Sequence, residues 1–88
     1  MNKPSGTRGL RRLATPEPVT VEADPEGRPT TVDTVAVTTI REEWFVEDRW
    51  WDEKRRIHRR YFETLLEGGR VEVVFFDLVT GRWFRQQG

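Results

Sequence analysis

The chain reads as an all-β domain on three observations. Short apolar runs alternate with polar residues at period two, those runs are rich in Val, Thr, Trp and Phe, and glycine- or proline-containing turn signals separate them. The expected architecture is a small antiparallel meander of five or six strands, a curled sheet or small barrel. Its interior is too small for a ligand, and a disordered basic arm precedes it, so residues 1–16 form the arm and 17–88 the β domain.

Residues 1–16 carry Lys3, Arg8, Arg11 and Arg12, with Leu10 and Leu13 as the sizeable apolar groups after Met1. That is too little apolar surface to offset the entropy lost on ordering. From Pro18 the pattern changes: Val19, Val21 and Ala23 alternate with Thr20 and Glu22, and Asp24-Pro25-Glu26-Gly27 closes the run as a turn. Arg28 to Thr39 returns as a β-branched strand in which Asp33 marks a bulge or bend, and Pro29 suits its start because it has no N–H to donate. Ile40 to Trp51 continues as a strand with Ile40, Trp44, Val46 and Trp50 on one face and Arg41, Glu43, Glu47 and Arg49 on the other. On this reading Trp44 and Trp50 build the core, whereas Phe45 and Trp51 fall on the opposite face as candidate exposed rings.

A turn at 52–54 leads into a strand over 57–66. The alternative is a helix over Glu53–Leu66 capped by Asp52, with Ile57, Tyr61 and Leu65 repeating at four. Glu67-Gly68-Gly69-Arg70 then sits between two apolar runs as a hairpin turn. Val71 to Leu78 is a strand by composition, Asp77 to Gly81 reverses the chain, and Arg82 to Arg85 closes the meander.

Composition narrows the function. A chain of 88 residues is one domain at most and buries only ~60% of its unfolded surface, so four Trp, five Phe and one Tyr must supply most of the core. Cysteine is absent, which removes disulfides and thiolate metal sites and suits a reducing cytoplasm. No apolar run approaches the roughly 18 residues that cross a bilayer, and Met1 to Thr15 lacks the apolar stretch of a secretory signal. A cytoplasmic protein with no membrane association is expected.

Catalytic chemistry is poorly represented. His58 is the one histidine and stands among bases, where it reads as a surface strand residue. Glycine loops for phosphate and Ser/His/Asp sets are missing. The acid pairs Glu42-Glu43, Glu47-Asp48 and Asp52-Glu53 are strand neighbours that point to opposite faces, so they do not converge on a metal ion. The expectation is therefore a non-enzymatic chain with no cofactor, no metal and no small-molecule substrate.

Net charge is zero, yet residues 54–60 carry +5 beside an acidic 40–53. Two uses of that basic run are open. Arg55, Arg56, Arg59 and Arg60 pair across the hairpin with Glu43 and Glu47 and form a neutralised outer face. Otherwise, together with Trp51, they make an aromatic and basic face that docks a protein partner or stacks and holds single-stranded DNA.

The segments Ile40-Arg41-Glu42-Glu43-Trp44, Arg49-Trp50-Trp51, Arg59-Arg60-Tyr61-Phe62 and Asp77-Leu78-Val79-Thr80-Gly81-Arg82-Trp83-Phe84 resemble a small bacterial domain of unassigned function. That domain occurs near the C-terminal end of catalytically impaired Y-family DNA-polymerase-like proteins of the mutasome, and as short stand-alone chains. The resemblance covers about residues 28–86 and rests on rings and bases rather than on catalytic residues. It implies an accessory role in DNA repair or translesion synthesis, exercised through a protein of the replication and repair machinery or through DNA, and no polymerase activity.

Overall fold

Alternating runs and turn residues give seven strands in the computed structural model, which describes residues 16–49, 51–52 and 56–86. They are β1 (Glu17–Pro18), β2 (Val21–Ala23), β3 (Pro29–Val32), β4 (Val35–Asp48), β5 (Ile57–Leu66), β6 (Val71–Asp77) and β7 (Arg82–Arg85). Every neighbouring pair is antiparallel, in the order β1-β7-β6-β5-β4-β3-β2. The all-β meander expected from the sequence is thus the fold, with one or two more strands than expected. The helix alternative fails over its described part, since Ile57–Leu66 is a strand. Of the basic arm, all but Pro16 lies outside the described residues.

Strand order dictates the curvature. β1 and β2 occupy opposite ends of the sheet, yet only Val19 and Thr20 separate them in the chain. The twisted sheet therefore curls into a half-barrel whose two edges meet at this crossing. Val19 N–H donates to the Trp83 carbonyl (3.2 Å) and Asp33 N–H donates to the Thr20 carbonyl (2.7 Å), so the crossing is tied to both edges. Arg85 locks the same end, reaching Glu17 (3.0 Å), Glu72 (2.9 Å) and the Asp33 carboxylate. The hydrogen bond from Arg85, helped by the Thr20 N–H, holds the Asp33 carboxyl below its ordinary range. Reciprocally, Asp33 and Glu72 push the Arg85 guanidinium further toward its charged form.

Three turns fall where glycine and proline placed them. Gly27 N–H donates to the Asp24 carbonyl (2.8 Å), Gly69 N–H to the Leu66 carbonyl (2.9 Å) and Gly81 N–H to the Asp77 carbonyl (2.7 Å). Gly27 serves a second purpose, because with φ of +88° it also lets the Arg60 guanidinium approach to 2.7 Å from where a Cβ would stand.

Two boundaries depart from the sequence reading. Asp33 is not a bulge within one strand from 28 to 39; Asp33 and Thr34, at φ 48° and 70°, form a two-residue turn that separates β3 from β4. Aspartate tolerates this left-handed conformation, and threonine is held there by the paired strands on either side. β4 also stops at Asp48 rather than Trp51, because Arg49 takes φ 54° and its carbonyl accepts from Asp52 N–H (2.9 Å).

The concave face holds the main core. Val32, Phe62, Leu66 and Val74 are buried there, with Val19, Val21, Val35, Val37, Ile40 and Trp83 packed against them. At roughly 1.5–3 kcal/mol for each fully buried apolar side chain, these four anchor the curled sheet. Thr64 is buried among them, and its hydroxyl donates to the Glu72 carbonyl (2.8 Å), so its burial leaves no polar atom stranded.

Candidate functional site

Register decides which side chains meet on β4 and β5. Pairing along these strands slips twice, between Val37 and Thr39 and between Ile40 and Glu42, which makes Thr38 and Arg41 extra residues. Thr38 turns its hydroxyl to the Leu65 carbonyl (3.0 Å). Each slip reverses the alternation, so Ile40 shares the concave face with Thr64, whereas Trp44 shares the convex face with Tyr61. The expectation that Ile40, Trp44 and Val46 form one apolar face with Trp44 in the core is overturned for this reason. Trp50 lies outside the described residues.

On the convex face the hairpins bring one ring from each of four strands into a row. Trp44 stacks on Tyr61 (5.3 Å between centroids, 7° between planes), Tyr61 meets Phe75 (4.8 Å, 35°), and Phe75 stacks on Phe84 (5.4 Å, 23°). These spacings approximate the distance between strands, so each ring turns its faces to its neighbours. Phe75 is completely buried by them and by the Arg59 guanidinium, 4.5 Å from its centroid. The sequence reading missed this row. It was countable from the turns, since a loop at 67–70 sets Tyr61 opposite Phe75 and a loop at 78–81 sets Phe75 opposite Phe84.

The residues singled out from the sequence divide between the faces. Arg60 lies on the concave side: its Nε and Nη2 both donate to Glu43 Oε2 at 2.7 Å, and Nη1 donates to the Glu26 carbonyl (2.9 Å). Its guanidinium also covers Phe62 at 4.9 Å and Phe45 at 5.7 Å. Arg56 pairs with Glu47 (3.9 Å) and lies 3.4 Å from His58 Nδ1. Arg59 stands on the opposite, convex face, donating to the Tyr61 hydroxyl (3.2 Å) while its buried Nε has no hydrogen-bond acceptor among the described residues. Trp51 is 69% exposed beyond the end of β4, and Phe45 is 59% exposed on β4 itself. Arg55 is outside the described residues. The structure therefore joins Arg56 and Arg60 to acids on β4 and sends Arg59 to a different surface.

A groove of about 560 Å³ runs beside this region, where β3 and β4 diverge after pairing only at Thr31–Ala36 and Val32–Val35. Asp24, Arg28, Pro29 and Thr30 line one wall and Val37 to Glu43 the other. Arg28 crosses it to Glu43 (3.8 Å). Among the described residues, no group of three or more His, Asp or Glu is placed to hold a metal ion, and no helix is long and apolar enough to cross a membrane.

Fold and site together define a small curled β half-barrel with an aromatic convex face and an ion-paired hairpin. Comparison of the chain with protein-family models, with characterised proteins and with solved structures finds no match.

Proposed function

We propose that this domain is a non-enzymatic interaction module that docks a protein partner through the end of the sheet bearing Phe45 and Trp51. The resemblance noted in the sequence supplies the setting: an accessory to DNA repair or translesion synthesis, in which the partner belongs to the replication and repair machinery. One observation carries the choice of a protein over a nucleic acid. Of the groups that single-strand binding would use, Arg56 and Arg60 are held by Glu47 and Glu43, and the convex rings stack on one another. Phosphate contact would have to break an ion pair, and base stacking would have to open a ring pair. Phe45 and Trp51 are the large exposed rings at this end of the sheet, and such rings anchor protein interfaces.

The test is photocrosslinking in the native cell from a benzophenone amino acid placed at Phe45 or Trp51, with mass spectrometry of the adducts. A discrete polypeptide adduct, lost when the other ring is changed to Ser, is the expected result. Adducts to nucleic acid, or binding of an oligothymidine strand that weakens steeply with salt and requires Arg56 and Arg60, would overturn the protein reading in favour of single-stranded DNA.

A further inference from the structure

β4 is far longer than its outer neighbour. It spans 14 residues, yet β3 pairs with it only at Val35 and Ala36. Among the described residues, no strand pairs with the outer edge of β4 from Trp44 to Asp48, although β5 pairs with its inner edge along that length. An antiparallel strand directs alternate N–H and C=O groups to each side, so this edge presents backbone donors and acceptors to solvent. Edges of this kind accept an added strand.

The side chains beside the edge say what kind of strand fits. Glu42, Trp44, Val46 and Asp48 stand on the convex face, and Glu43, Phe45 and Glu47 on the concave one. The order along the edge is two acids, three apolar residues, two acids. Among the described residues the aromatic row also ends at Trp44, whose outer face is turned to the next strand position. A second copy of this chain is a poor occupant. In the two-fold antiparallel register that sets Trp44 opposite Val46, Glu43 meets Glu47 and Glu42 meets Asp48, and like charges directly opposite destabilise a sheet.

We infer that the β4 edge from Glu42 to Asp48 receives an extended segment of the partner, paired as an eighth strand, with apolar residues opposite Trp44–Val46 flanked on both sides by lysine or arginine. This deepens the docking role proposed above and rests on it for the partner being a polypeptide. An incoming ring opposite Trp44 continues the stack, and the flanking bases meet Glu42 and Asp48, while Glu47 keeps its pair with Arg56.

The probe is the end-blocked heptapeptide Lys-Lys-Phe-Val-Phe-Lys-Lys, whose palindromic order serves either strand direction. Binding to the full chain is followed by NMR, with amide exchange as the second readout. Expected are slowed exchange and shifted resonances at residues 44–48 and affinity lower by roughly tenfold for the Glu42→Lys/Asp48→Lys variant. Binding should be lost when alternate peptide amides are N-methylated along the pairing edge, because methylation removes ladder donors and leaves charge unchanged. Equal affinity of the methylated peptide would overturn strand addition, as would no binding at millimolar peptide. Concentration-dependent dimerisation of the free chain that protects 44–48 would overturn the partner in favour of self-pairing. A native partner that still crosslinks at Phe45 or Trp51 when these peptide results are negative would leave the docking role standing without the edge.

Discussion

Changing Arg60 to Ala separates a structural arginine from a ligand-binding one. Its guanidinium makes two hydrogen bonds at 2.7 Å to a carboxylate, with Arg60 22% and Glu43 26% exposed. In so covered a place a charged, two-point contact is worth about 1–2 kcal/mol after allowing for residual solvent screening. The bond to the Glu26 carbonyl adds about 1 kcal/mol, and the contact over Phe62 about 0.5–1 kcal/mol. Shared atoms make these contributions less than additive, so the expected loss is about 2–3 kcal/mol. With a urea slope of about 1 kcal/mol per molar for so small a domain, the midpoint should fall by about 2–3 M in a tryptophan-fluorescence unfolding curve. A double-mutant cycle with Glu43→Gln should return a coupling of about 1–2 kcal/mol. A loss below about 0.5 kcal/mol, or a coupling near zero, would refute the argument that Arg60 is committed to the fold and would restore it as a candidate ligand group.

Thr34 occupies φ 70°, a region costly for a β-branched residue, so Thr34→Gly should stabilise the domain by about 1 kcal/mol in thermal unfolding despite the added chain entropy. Asp33 is lowered from its ordinary 3.8, so its share of stability is fully present above that value and is lost as pH falls through its lowered one. Asp33→Asn should therefore flatten the stability profile below about pH 4, as followed by circular dichroism. Phe75 is fully buried whereas Phe45 is 59% exposed, so Phe75→Ala should cost about 3–5 kcal/mol and Phe45→Ala less than about 1 kcal/mol, measured by denaturant unfolding.

Strand identity, the turns at 24–27, 67–70 and 77–81, and the pairing of acids with bases across the central hairpin were legible in the chain because they are local. Period two, glycine at positive φ and opposite charges on adjoining strands act over a few residues. The register from Leu65 to Phe84 was legible too, since each short loop fixes the pairs that follow it. What escaped was set by residues distant in sequence. The slips at Thr38 and Arg41 accompany the bend by which β4 serves β3 at one end and β5 along its length, and the one at Arg41, between Ile40 and Trp44, moves Trp44 from the expected core to the convex row. The turn at Asp33–Thr34 depends on Val32 and Val35 pairing, which outweighs the poor turn propensity of threonine. The unequal lengths of β3 and β4, and with them the open edge beside Trp44, come from the chain closing its half-barrel through Val19–Thr20. That closure is a property of the whole sheet, since both of its edges must meet, and no window of residues encodes it.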